Sequence, residues 1–129
     1  IAEGIKQAGD IEVDLCDIEK MDMGIIEQKL IQASGIVLGC PTFSQTILMP
    51  IYQVFALINP IRDRNKLAAA FGSYGWSGEG AKIMTSAMNN LKLKVIDDGL
   101  MVKFTPHHEV KEKCIEYGRN FGLKLLECT

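Results

Sequence analysis

Apolar and polar residues alternate strictly over Ile11-Glu12-Val13-Asp14-Leu15-Cys16. That is the period of a strand with one wet face, and it suits a place near the edge of a sheet. Two further runs, Gly35-Ile36-Val37-Leu38-Gly39-Cys40 and Leu67-Ala68-Ala69-Ala70-Phe71-Gly72, do not alternate. Short continuous apolar stretches bounded by glycine predict parallel strands covered on both faces. Lys94-Val95-Ile96 and Leu100-Met101-Val102-Lys103-Phe104 flank Asp97-Asp98-Gly99. They predict either one strand interrupted at a turn or bulge, or two short ones.

Between these runs the period changes to that of a helix. Ile25, Ile26, Leu30 and Ile31 form one stripe, and Ile51, Val54, Phe55 and Ile58 another, with Pro50 where a first helical turn tolerates it. Further helices are predicted over about 79–90 and about 108–127, the latter with Val110, Cys114, Tyr117, Phe121 and Leu125 on one face. The opening Ile1–Gly9 reads as the second half of an amphipathic helix. Strands alternating with helices of this length predict an α/β fold with right-handed crossovers and a parallel sheet between helix layers. Such a sheet binds ligands outside the carboxyl ends of its strands, so the loops to inspect follow Leu15, Leu38 and Phe71.

Composition narrows the class. At 129 residues the chain has room for one domain, and 47% hydrophobic against 23% charged residues is a globular balance. A net charge of −2 without a Lys/Arg block argues against duplex nucleic acid. No apolar run approaches the ~20 residues of a membrane span, so a soluble protein is expected. Cys16, Cys40, Cys114 and Cys128 include no C-x-x-C pair and no Cys/His cluster at metal-ligand spacing. Cys16 and Cys40 close apolar runs and are expected to be small buried hydrophobes in a protein of the reducing cytosol.

Two loops carry candidate chemistry. Gly39-Cys40-Pro41-Thr42-Phe43-Ser44-Gln45-Thr46 follows the most apolar strand and offers hydroxyls, an amide and backbone N–H groups beside an aromatic ring. This composition suits the polar edge of a flat heterocycle, and equally an ordinary strand-to-helix connection with Pro41 fixing its exit. Gly72-Ser73-Tyr74-Gly75-Trp76-Ser77-Gly78-Glu79-Gly80 holds the single tryptophan. Its glycines would let the backbone approach a ligand, and a Gly/Ser loop favours Trp76 as a stacking platform over core packing. Ser73 or Ser77 as a helix cap is the structural alternative for the serines. His107-His108 has no third ligand nearby and reads as solvated or capping, and Glu79 suits a helix start by its charge.

The run Ala70-Phe71-Gly72-Ser73-Tyr74-Gly75-Trp76-Ser77-Gly78-Glu79, preceded by Gly39-Cys40-Pro41-Thr42-Phe43, closely resembles the flavodoxin-like domain of the flavodiiron, or A-type, flavoproteins. The resemblance covers nearly the whole chain. It implies a three-layer sandwich with a parallel sheet in the order 2-1-3-4-5 and a non-covalently bound FMN. Pro41, Thr42, Phe43, Ser44 and Gln45 would form the first ring loop. Gly72, Ser73, Tyr74, Gly75, Trp76, Ser77 and Gly78 would form the second. It further implies electron transfer from rubredoxin or a flavin/rubredoxin reductase to a diiron centre in a metallo-β-lactamase-like domain, within a homodimer. That centre reduces dioxygen or nitric oxide.

Phe43 and Ser44-Gln45 depart from the Tyr and Asn-rich pair common in the family, which bears on one hydrogen bond to the ring. A first strand and a hydroxyl-rich phosphate loop would precede Ile1 in that fold, so 1–129 reads as an N-terminally incomplete domain whose strands at Ile11 and Gly35 lack the neighbour between them. Other classes fit the same pattern: a cofactor-free interaction domain, or a flavodoxin-like quinone reductase. A nicotinamide site is disfavoured because G-x-G-x-x-G is missing after every strand-like run.

Overall fold

The computed structural model describes residues 1–42, 46–75, 78–103 and 108–128. Its elements are α1 (Ala2–Ala8), α2 (Met23–Gln32), β1 (Gly35–Gly39), α3 (Met49–Leu57), β2 (Leu67–Tyr74), α4 (Glu79–Asn90), β3 (Lys94–Val95), β4 (Leu100–Lys103) and α5 (His108–Glu127). The chain divides into two units, Cys16–Phe104 and Ile1–Leu15 with Thr105–Thr129. Among the described residues no helix is long and apolar enough to cross a membrane.

In the larger unit the sheet is parallel. β1 pairs with β2 from Gly35 opposite Leu67 to Gly39 opposite Phe71. The other edge of β2 is paired twice, Leu67 and Ala68 with β3 and Phe71–Tyr74 with β4. Of the two readings the sequence left open for 94–104, two short strands along one edge is the one formed. A turn separates them, in which the Gly99 N–H donates to Asp97 Oδ1 at 2.8 Å. Gly99 takes a φ of +98°, a conformation that glycine adopts without the Cβ penalty.

The pairing changes three expectations. Pairing with β4 carries β2 on to Tyr74, so Gly72, Ser73 and Tyr74 are strand residues and the loop proper starts at Gly75. Ile11–Cys16 joins no ladder despite its alternation, and Cys16 is exposed, not buried. Alternation alone does not make a strand; that takes ladder hydrogen bonds to a neighbouring strand, and among the described residues Ile11–Cys16 is not assigned to one. β2 is buried on both faces over Leu67–Ala70, as expected, whereas β1 alternates, with Ile36 and Leu38 buried and Val37 and Gly39 more open. The strand with neighbours on both sides is the one that reads as continuously buried.

Ile36, Leu38, Ala68 and Ala70 turn the same way, into a core completed by Ile26 and Leu30 of α2, Ile51 and Val54 of α3, and Ala81, Met84 and Met88 of α4. Small alanines on β2 leave room for the methionines of α4, whose side chains fill irregular gaps. Ile25 and Ile31, counted into the α2 stripe, are instead exposed.

The turn between α3 and β2 is fastened by Asp63, which is fully buried. Its carboxylate accepts from the Asn59 N–H at 2.9 Å, from Arg62 Nε and Nη2 at 3.1 and 2.8 Å, and lies 2.9 Å from Lys66 Nζ. Lys66 also donates to the Leu30 and Ile31 carbonyls at 2.6 and 3.1 Å, closing the end of α2 where a cation suits the helix dipole. Burial alone would raise the Asp63 carboxyl, but the hydrogen bonds from Arg62, Lys66 and the Asn59 amide outweigh it and hold it well below the usual carboxylate range.

In the smaller unit α1 packs on α5. A Cβ on Gly4 would stand 1.9 Å from the Ile115 carbonyl oxygen and one on Gly118 2.0 Å from that of Ile1, so both glycines are needed for the backbones to meet. Arg119 Nη2 donates to Gln7 Oε1 at 2.6 Å across the pair. The face read for α5 is the covered one, with Phe121 buried and Val110, Cys114, Tyr117 and Leu125 partly so.

Candidate functional site

The ladder between β1 and β2 runs on past the end of β1 into the first loop. The Cys40 N–H donates to the Phe71 carbonyl at 3.1 Å and the Thr42 N–H to that of Ser73 at 2.9 Å. Pro41 sits between these two donors, where its missing N–H costs nothing in the ladder to β2. Gly72 serves the same contact. A Cβ there would come within 2.0 Å of the Cys40 carbonyl oxygen, so this glycine is explained by close approach of two strands.

Among the described residues, the Thr42 side chain ties the first loop to the start of α4. Thr42 Oγ1 accepts the Gly80 N–H at 3.0 Å, and a Cβ on Gly80 would stand 2.8 Å from that hydroxyl. Gly78 is the N-cap of α4 and no side-chain cap bond is made from it. The orphan amide of the first turn is therefore satisfied by a threonine 38 residues earlier in the chain, in the role that Ser73 or Ser77 was offered. Local spacing carries no signal for such a cap. Gly78 lies against the Tyr74 ring, whose Cδ1 would be 3.4 Å from an added Cβ.

Cys40 is buried, as expected, and its sulfur accepts the Leu48 N–H at 3.3 Å while the thiol donates to the Pro41 carbonyl at 3.2 Å. Burial pushes the thiol up from its ordinary value, against the Leu48 amide, which works to lower it. The sulfur thus holds both ends of the first loop as a neutral thiol, not as a nucleophile. Thr46 Oγ1 and Tyr52 Oη are hydrogen-bonded at 3.0 Å just beyond.

Two features of the described structure lie outside the residues nominated from the sequence. A cleft of about 300 Å³ opens at the carboxyl end of β1, with Cys40, Leu48 and Ile51 in its wall and Asp17 and Glu19 among its lining. Carboxylates there make it a poor seat for a phosphate. The second is Glu79, whose Oε2 is shut off from solvent without a hydrogen-bond partner among the described residues. Phe43, Ser44, Gln45, Trp76, Ser77 and His107 lie outside the described residues. His108 begins α5, exposed, with Nε2 3.4 Å from Glu112 Oε1.

A parallel sheet whose two candidate loops leave the carboxyl ends of adjacent strands is the frame of a flavodoxin-like domain, and solved structures agree. The flavodiiron core of Flv1 from Synechocystis matches 99% of the chain at a TM-score of 0.89 and 26% identity, the chain spanning 32% of it. An archaeal flavodoxin matches 97% at a TM-score of 0.82 and 26% identity, with 85% of its own length covered. No family model matches the chain. By sequence it is 35% identical over 123 residues to flavo-diiron protein FprA2 of Clostridium acetobutylicum and 35% over 127 to type A flavoprotein fprA of Rhodobacter capsulatus. These alignments take in 95% and 98% of the chain but 31% and 28% of the two relatives, so it spans under a third of their length. The chain is a flavodoxin-like domain. Its sequence is similar to those of flavo-diiron, or type A, flavoproteins.

Proposed function

We propose that the chain is an FMN-binding electron-transfer domain of a flavodiiron-type oxidoreductase. The observation that carries this reading is the Thr42 to Gly80 hydrogen bond, which draws the loops after β1 and β2 together at the carboxyl end of the sheet. A ligand there would find backbone and hydroxyl groups of Thr42 and Ser73 and the ring of Tyr74. The unsatisfied Glu79 oxygen at the same junction fits a ligand that brings a hydrogen-bond donor. Oxidised flavin brings a ring N–H and the hydroxyls of its ribityl chain.

Pro41, Thr42, Gly72, Ser73, Tyr74, Gly75 and Gly78 would hold the ring from the described part of the two loops. Phe43, Ser44, Gln45, Trp76 and Ser77 enter on their sequence, Trp76 as the stacking surface. When bound, FMN supplies the redox chemistry, accepting electrons in pairs and releasing them singly. The protein's part is to bind and orient the ring, exclude water from one face and leave an edge open to a partner. Electrons would come from rubredoxin or a flavin/rubredoxin reductase and leave for a diiron domain of the partner subunit in a homodimer, where dioxygen or nitric oxide is reduced. Relatives named nitric oxide reductase, from Moorella thermoacetica, and rubredoxin oxygen:oxidoreductase, from Desulfovibrio gigas, support the range of acceptors.

The test is to incubate the purified chain with FMN, remove free flavin by gel filtration and record the absorbance spectrum. Retention of one flavin per chain, with the bands shifted from those of free FMN, is expected. A chain that elutes colourless after incubation with excess FMN would sink the reading in favour of a cofactor-free interaction domain.

A further inference from the structure

Glu79 opens α4 directly after the second loop, and its carboxylate is where the described structure leaves a polar group unsatisfied. The buried polar side chains elsewhere are accounted for: Asp63 accepts from Asn59, Arg62 and Lys66, and Thr85 Oγ1 donates to the Lys82 carbonyl at 3.1 Å. A carboxylate in a first turn suits the helix dipole, but the dipole does not require the oxygen to leave water. A buried acceptor without a donor is a cost that folded proteins seldom carry without a use. The position is also fixed from both sides. The next amide, that of Gly80, is held by Thr42 of the first loop, and the preceding Gly78 lies against Tyr74 of the second. Glu79 therefore stands where the two loops meet.

We infer that Glu79 is a hydrogen-bond acceptor for the bound flavin, its Oε2 receiving the donor that the ring N3–H or a ribityl hydroxyl supplies. This rests on the FMN reading above and adds to it a residue beyond those named as holding the ring. The carboxylate also places negative charge beside a group that gains electrons, so the neutral E79Q raises the midpoint potential of the bound flavin.

Titrating FMN and its N3-methyl analogue into wild type, E79Q and E79A, followed by flavin fluorescence, tests this, with thermal unfolding of each chain measured without flavin. Flavin-free E79A is expected to unfold at the wild-type temperature or above it, because the orphan oxygen is gone, and flavin-free E79Q, which keeps an oxygen there, near the wild-type temperature. Their Kd for FMN rises, about tenfold in E79A and less in E79Q, whose amide oxygen still accepts. If N3–H is the donor, methylation weakens wild-type binding and abolishes the difference between wild type and E79A. If a ribityl hydroxyl is the donor, the E79A loss persists in full with the methylated flavin. Either pattern supports the inference. Variants that bind FMN as tightly as wild type, with an unchanged potential, overturn it while the FMN reading stands. Loss of flavin-free stability in parallel with binding makes Glu79 structural and overturns it as well. A wild type that binds no FMN removes the reading beneath it.

Discussion

Asp63 shows how one buried charge holds a turn. Its two oxygens gather the Arg62 guanidinium, the Lys66 ammonium and the Asn59 amide, and Lys66 in turn closes the end of α2. Asp63→Asn keeps the shape but leaves Lys66, whose side chain is 15% exposed, without its counter-charge. Breaking a buried pair from one side costs about 3 kcal/mol, which urea unfolding at pH 7 would register. The pH dependence has a definite sign. An unfolded aspartate titrates near ~3.9. The folded carboxyl is held lower, so its contribution is complete above about pH 5 and fades as the pH falls through ~4 toward the folded value. The stability gap between wild type and D63N should therefore shrink between about pH 5 and pH 3. A gap that stayed constant over that range would mean that shape, and not charge, fastens the turn.

At the scale of elements, the tie between the first loop and α4 depends on one hydroxyl. Thr42→Val removes the acceptor for the Gly80 amide and should cost about 1 kcal/mol, the usual loss of an N-cap, whereas Thr42→Ser should keep most of it. Equal urea midpoints for the valine and serine variants would show that the amide finds another partner. The same element marks the limit of what the chain reveals as a sequence. The bounds of α4 and α5 were legible, because the helical period and the charged first turns belong to the helix itself. Thr42 was nominated from the sequence for the first ring loop, yet its use as a cap across 38 residues was not legible there, since that depends on the spacing of two strands. Ile11–Cys16 failed for the same reason: its alternation is local, but being a strand is a relation to a neighbour. Gly72, nominated for approach to a ligand, is required by the carbonyl of Cys40, a contact invisible until β1 and β2 are set side by side. Glu79 was legible by charge alone, and only burial reveals its unpaired oxygen.

For the molecule as a whole, the chain matches under a third of its flavo-diiron relatives, and the part of the proposal it tests directly is flavin binding. Binding to the folded state alone adds RT ln(1 + [L]/Kd) to stability, about 2.7 kcal/mol at a hundredfold excess over Kd and about 1.4 kcal/mol for each further tenfold. Urea unfolding at increasing FMN should follow that slope, with no change in the dependence on urea that would signal a different unfolding reaction. The nominated residues address the ring, so lumiflavin, which has the ring without the ribityl phosphate, should give part of the same stabilisation. Stabilisation by FMN with none from lumiflavin or riboflavin would place the binding energy on the phosphate and displace the loops after β1 and β2 as the site. An effect of lumiflavin that disappears in Thr42→Val, beyond the loss of that variant's own stability, would tie ring binding to the junction those loops share.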